Sequence, residues 1–227
     1  MDCDESNSGL YRMLGLHKAP LSIMEMVGGK KGIKERLSPK YAPGSQAGTN
    51  VLARDRISLK EIPAANIAER DGIRLVSTGK IVESMEGCAC PIGMLGREFL
   101  SKLELSDNEV VLVDMEAGIE HFGRGVETSV DAILAAVEPS MESILLASKI
   151  MHLANSMGIK NCHAVLTKVN SEALQATLSR ELAKSGVPVA GAIPYDAEIF
   201  EACLEGHPLG KGKALEAAVS IVDILLR

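Results

Sequence analysis

The segment EVVLVDMEAG, residues 109 to 118, sets an uninterrupted apolar run, Val110 to Val113, directly before Asp114 and then Gly118. Such a run reads as a buried strand that delivers a carboxylate at its carboxyl end. A carboxylate there can hold Mg2+ directly or through water, and a glycine N–H can approach a phosphate because no Cβ blocks it. The plainer reading is a strand-end aspartate that caps the next turn.

Downstream, the same grammar repeats. Residues 132–137 (AILAAV), 162–169 (CHAVLTKV) and 189–194 (VAGAIP) are short apolar runs of the kind that fill a parallel sheet. Between them lie helical patterns. Ser140 is placed to cap a helix whose Ile144, Ala147, Ile150, Met151 and Ala154 share a face, with Gly158 as its stop. Ser171 caps another that ends near Gly186 and Pro188. A last helix from about Lys213 lines up Leu215, Val219, Val222 and Leu226 as the face that covers the sheet. Strand–helix alternation of this kind predicts an α/β fold, doubly wound, with a mostly parallel sheet and flanking helices, in one domain spanning residues 1–227.

Upstream, the pattern is less regular. Pro39, Pro43 and residues 44–50 read as a loop, and IRLVSTG, residues 73–79, as an isolated strand. MDCDESN, residues 1–7, has the acidic character of a segment at the carboxyl end of a strand, followed by a helical GLYRML.

Composition narrows the function classes. Hydrophobic residues at 46% supply an aliphatic core, whereas aromatics at 3% and no Trp leave little for stacking on bases. A net charge of −6 provides no general field for phosphate backbones, so nucleic acid is not an expected partner. No stretch approaches the roughly 18 apolar residues of a membrane span, and the acidic start is unlike a signal region, so a cytoplasmic protein with no membrane partner is expected. Five cysteines in a reducing compartment favour thiols and metal ligation over a disulfide framework.

Asp2-x-Asp4-x-x-Asn7, Asp114-x-x-x-Gly118 and Ile193-Pro194-Tyr195-Asp196 together resemble the deviant-Walker ATPases that include septum-site, partition and nitrogenase iron proteins. Within that superfamily, EGCACP (residues 86–91) and DMEAGIEHFGRG (residues 114–125) look like the CooC-type accessory proteins that help insert nickel into carbon monoxide dehydrogenase. The resemblance implies a P-loop NTPase-like fold and ATP with Mg2+ as cofactors. It also implies roles: Asp4 near the attacking water and Mg2+, Asp114 in the outer sphere of Mg2+, and Gly118 sensing the γ-phosphate. Asn7 joins the nucleotide site, and Thr167, Lys168 and Pro194 fall where the family contacts adenine. Relatives often carry Asn where Thr167 stands, and a hydroxyl cannot present the paired donor and acceptor of an amide.

The family pattern opens with a strand, a Gly-rich phosphate loop with two lysines, and a helix. Gly-Lys occurs at Gly29-Lys30, Gly79-Lys80, Gly210-Lys211 and Gly212-Lys213, never followed by Ser or Thr. GGKKG, residues 28–32, lacks the hydroxyl that ligates Mg2+ and follows no β-run, so it reads as a flexible basic loop. The expectation is a domain without its first strand, P-loop and first helix, roughly 30 residues on the usual size of a βα unit, with no tight binding of ATP.

Cys88 and Cys90 sit between Gly87 and Pro91 in a turn-like setting that leaves both thiols pointing the same way, in a metal segment near residues 86–97. Tetrahedral thiolate sites take four ligands, and one Cys-x-Cys supplies two, so a second copy across a two-fold axis completes the site. This predicts a homodimer bridged by nickel or zinc; a redox-active or incidental pair is the plainer alternative. Cys3, Cys162 and Cys203 read as small core residues or near-site thiols. His121 reads as a solvent-facing loop histidine in preference to a relay, and Arg124 as a partner of nearby carboxylates, a reporter of nucleotide state across a dimer, or a surface ion pair.

The functional expectation is an ATP-dependent metallocentre maturation factor with carbon monoxide dehydrogenase or a related nickel enzyme as client. The alternatives are a non-hydrolysing metal-binding or scaffold protein and a positioning ATPase. A positioning role does not need Cys-x-Cys, and the last helix lacks a basic face for membrane docking.

Overall fold

The computed structural model describes residues 1–36, 51–82, 89–210 and 212–225, apart from the side chain of Lys34. The expected loop at Pro39, Pro43 and residues 44–50 lies outside them, as do Cys88 and Leu226. The chain forms two compact units, Met1–Ser129 and Val130–Arg227.

The first unit is assembled from short pieces. Helices α1 (Leu10–Met13), α2 (Ile23–Met26) and α3 (Gly29–Arg36) precede strand β1 (Ile57–Ser58). Strands β2 (Ala68–Arg70) and β3 (Ile73–Leu75) pair antiparallel, helix α4 spans Cys90–Lys102, and β4 (Leu103–Glu104) pairs parallel with β1. Basic GGKKG therefore opens a helix, α3, instead of forming a loop.

Three extended segments run side by side in this unit. Residues 1–3 lie between residues 76–78 and 112–114: Asp2 N donates to Val76 O (2.8 Å), Thr78 N to Asp2 O (3.0 Å), Asp114 N to Met1 O (2.9 Å) and Cys3 N to Asp114 O (2.9 Å). Asp2 bridges Ser77 and Asp114, parallel to both. Residues 73–79 are thus not isolated, since they pair with β2 and with residues 1–3. The 109–114 run corrects the expectation of a buried strand. Its bonds to residues 1–3 form only a bridge at Asp114, and alternate residues Val110 and Leu112 are 71% and 78% exposed. Apolar side chains that alternate along an extended segment leave one set uncovered when only one face is packed.

The other face is covered by α4. Gly96 lies against Thr78 and the Cys3 sulfur, and Leu95 and Phe99 join Ile23, Val27, Ile33, Val51, Leu52, Ile57, Ile62 and Val76 in one buried cluster. Glu98, buried in the same helix, accepts from Val51 N and Leu52 N at 2.8 Å each and pairs with Lys102 at 2.7 Å.

The second unit follows the sequence pattern closely. Strands β5 (Ile133–Val137), β6 (Cys162–Val169) and β7 (Val189–Pro194) form a parallel sheet in that order, connected by α5 (Met141–Ser156) and α6 (Glu172–Lys184) and followed by α7 (Ala197–Glu205) and α8 (Lys213–Leu225). Ser140 caps α5 by accepting from Ser143 N (3.1 Å), and Ser171 caps α6 by accepting from Leu174 N (3.3 Å). Helix α7, capped by Asp196, was not legible as an element.

Helix α8 corrects a second expectation. Leu215, Val219 and Val222 are exposed, and Ala214 and Ile221 are buried. The reason lies in β7: a Cβ on Gly191 would stand 2.6 Å from Ile221 Cγ1, so the missing side chain opens the space that Ile221 fills. Ile221 joins Val165 and Ala190, with Ile193 and Leu225 against them. Among the described residues no helix is long and apolar enough to cross a membrane.

Candidate functional site

The acidic turn after residues 1–3 is built by its own hydrogen bonds. Asp4 Oδ1 accepts from Ser6 N and Asn7 N, and Asp4 Oδ2 from Asn7 Nδ2, each at 2.8 Å. Burial alone would push the Asp4 carboxyl up, but the bonds from Asn7 and Ser6 and the charge of Lys80 hold it below its ordinary value. Lys80 ties the turn together: its Nζ donates to Asp2 Oδ1 at 2.7 Å and to the carbonyls of Asp4 and Asn7. Ser6 Oγ donates to Glu116 Oε1 at 2.6 Å.

Asp114 is the counterpart. Its carboxyl is raised, by desolvation first and then by the neighbouring Asp2 and Asp4 charges. The residue as a whole is exposed, so solvent damps both effects. The parallel register thus brings Asp4, Asn7 and Asp114 to the same ends of adjoining segments. Lys80 was missed as a participant. Its signal in the sequence is the position of Gly79-Lys80 at the end of a strand-like run, where a cation faces the same edge as the carboxylates.

Residues 118–129 form a second layer. Gly118 has φ of 121°, a backbone conformation that strains any residue with a Cβ and so favours glycine. Two short 3-10 turns follow, Glu120–Arg124 and Val126–Ser129. His121 is not solvent-facing. Its ring lies between the Glu127 carboxylate on Nδ1 and the Gly118 carbonyl, 3.1 Å from Nε2. Both neighbours are acceptors, and a neutral imidazole ring donates to only one of them at a time. Arg124 pairs with Glu5, next to Asp4; the two side chains are 19% and 6% exposed.

Cys90 is the first residue of α4, with Pro91 following at a position where a missing N–H costs nothing. A helix start therefore replaces the expected turn-like setting at Cys90. Cys90 is disulfide-bonded, so its thiol must be released before it can ligate metal. Among the described residues no group of three or more His, Cys, Asp or Glu is placed to hold a metal ion. Cys3 and Cys162 are buried, and burial pushes the Cys3 thiol up to about 12, whereas Cys203 is exposed and no core residue.

In the second unit, Thr167, Lys168 and Pro194 share one end of the sheet. Val169 pairs with Pro194, and the register shifts between Leu166 and Val169. Lys168 takes a left-handed backbone, φ 57°, and its side chain pairs with Glu138. A non-glycine residue in that region costs on the order of 1 kcal/mol and is common where strand ends carry function.

No family model matches the chain. It is 39% identical over 227 residues to an uncharacterized ATP-binding protein of Methanocaldococcus jannaschii, covering 100% of this chain and 87% of that one. It is 33% identical over 226 residues to the carbon monoxide dehydrogenase accessory protein CooC of Rhodospirillum rubrum, covering 96% of this chain and 83% of the relative. The cell division ATPase MinD of Pyrococcus furiosus superposes with a TM-score of 0.62 at 16% identity, over 99% of this chain and 83% of that one. MinD of Pyrococcus horikoshii, solved with Mg-ADP, superposes with a TM-score of 0.61 at 13% identity, over 98% and 80%. At such identities the likeness establishes the fold: α/β, with parallel sheets and flanking helices.

Proposed function

The chain belongs to the MinD/ParA-like family of ATP-binding proteins, and from that premise we propose that it is an ATP-dependent metallocentre maturation factor, delivering or inserting nickel for carbon monoxide dehydrogenase or a related nickel enzyme. The observation that carries the nucleotide half is the convergence of Asp4, Asp114 and Lys80 at the ends of adjoining parallel segments. The similarity to CooC over most of both chains supports the metal half.

The donor set fits Mg2+. Carboxylate oxygens are its preferred ligands, and a divalent cation would offset the desolvation, and after it the repulsion from Asp2 and Asp4, that raise Asp114. Bound with the nucleotide, Mg2+ supplies charge neutralisation at the phosphates. Asp4 would orient the attacking water, and Asp114 would help to hold the Mg2+. Gly118 lets a backbone N–H come close to the terminal phosphate, and Asn7 holds the acidic turn in shape. Thr167, Lys168 and Pro194 are assigned to the base. Nickel or zinc is the cargo, held by Cys88 and Cys90 of two copies once reduced, so the working unit is a cytoplasmic homodimer. Nucleotide state and metal capture are coupled through that dimer.

A non-hydrolysing scaffold is the second reading, favoured by the Asp4 carboxylate, whose oxygens already accept from Ser6 N, Asn7 N and Asn7 Nδ2. Titration with Mg-ATP decides between them. The first reading expects weak, Mg2+-dependent binding, with Kd on the order of 1 mM, lost in Asp4→Ala. Binding indifferent to Mg2+ and to Asp4→Ala contradicts it, and micromolar affinity would reveal an overlooked phosphate loop.

A further inference from the structure

We propose that Arg124 is a positioning residue that carries the state of the acidic turn to helix α4, the helix that begins at Cys90. This rests on the proposed function for its purpose, but the coupling itself is a property of the first unit. From its own turn Arg124 touches two other elements, the acidic turn and, twice, α4. Its guanidinium pairs with Glu5, whose own carbonyl accepts from Ile81 N at 2.9 Å, beside the Asp4 turn and Lys80. Its aliphatic stem crosses α4 at Gly93, where a Cβ would stand 2.5 Å from Arg124 Cδ. Its carbonyl accepts from Arg97 Nη1, also on α4, at 3.3 Å. It stands in the turn that starts two residues after Gly118.

These contacts make a strut. A half-buried guanidinium that loses its carboxylate must find another acceptor or turn further into water. With its stem laid across Gly93, Arg124 cannot swing without moving over the first turns of α4. Any change that displaces Glu5, such as the rearrangement of residues 4–7 around a cation or a phosphate, therefore reaches α4 through one side chain. Gly93 is part of the device, since any larger residue fills the channel in which the stem lies.

Amide hydrogen exchange on the full chain tests this without any ligand. Amides of residues 92–97 report on the start of α4, and those of α3, which packs into the same core cluster, report unfolding of the first unit. Glu5→Gln and Arg124→Met should each speed exchange at 92–97 about fivefold, the low end of usual coupling strengths, with α3 unchanged. Arg124→Met keeps the stem, so its effect reads the ion pair and not lost packing. The double variant should exchange no faster than either single variant, and Arg124→Lys should restore the rate to within about twofold. Additive effects in the double variant, no change at 92–97, or no rescue by Arg124→Lys would each overturn the coupling. Failure of the functional reading is seen separately, in Mg-ATP binding and metal uptake.

Discussion

The two units bury different things. Among the described residues, Asp2, Asp4, Glu5, Asn66, Ser77, Thr78, Glu98 and Glu127 are buried in the first unit, whereas the buried set of the second is wholly hydrophobic. Burying charge is costly unless it is paired and hydrogen-bonded, so such groups persist where they have work to do. The second unit is a scaffold stabilised by apolar packing, and the first holds a polar network that specifies one arrangement of the acidic turn, residues 118–129 and α4.

The sharpest way to break this contrast is to remove a buried charge. Glu98→Ala strands two buried N–H groups and Lys102, so urea unfolding should show a loss of about 3–5 kcal/mol; a loss below about 1 kcal/mol would mean that the network is ornamental. In the second unit, Leu166→Ala should cost about 2–4 kcal/mol through its cavity, and α6 should lose exchange protection along with the β-sheet. A Glu98→Ala protein whose second unit melted first would reverse the assignment.

Acid should separate the units next. The Asp4 carboxyl is held low in the folded chain, so its contribution is fully present above the unfolded value and is lost as pH falls through the lower, folded one. Protection at α4, taken relative to the intrinsic exchange rate at each pH, should therefore fall before protection at α6 as pH drops below the ordinary carboxylate range, and Asp4→Asn should flatten that fall. Asp114 has the opposite sign. Its carboxyl is raised, so at neutral pH its charge opposes folding. Asp114→Asn should stabilise the chain slightly, by up to about 0.5 kcal/mol after solvent screening, while weakening Mg-ATP binding. A destabilised Asp114→Asn chain would remove the argument that a cation belongs there.

The same contrast explains what the sequence made legible. In the second unit each element is long enough to show its period: β6 runs over the eight residues expected, and Ser140 and Ser171 cap as expected. Two features depart from the pattern: α7, for which the sequence offers no clear helical signal, and the facing of α8, because Gly191 decides which residues fit and no helical periodicity reports it. In the first unit β1 and β4 have two residues each, too few for any pattern. The site there is assembled by contacts across 78 residues for Lys80 with Asp2 and 119 for Arg124 with Glu5. Motifs located Asp4, Asp114 and Gly118, but their partners came from tertiary structure.

Metal stoichiometry on the reduced chain tests the central claim most directly. With nickel or zinc supplied at equilibrium, we predict one metal per two chains and a dimer by light scattering, both lost when Cys88 and Cys90 are replaced by Ser. Metal uptake unchanged by those replacements, or a loaded protein that stays monomeric, would contradict the account.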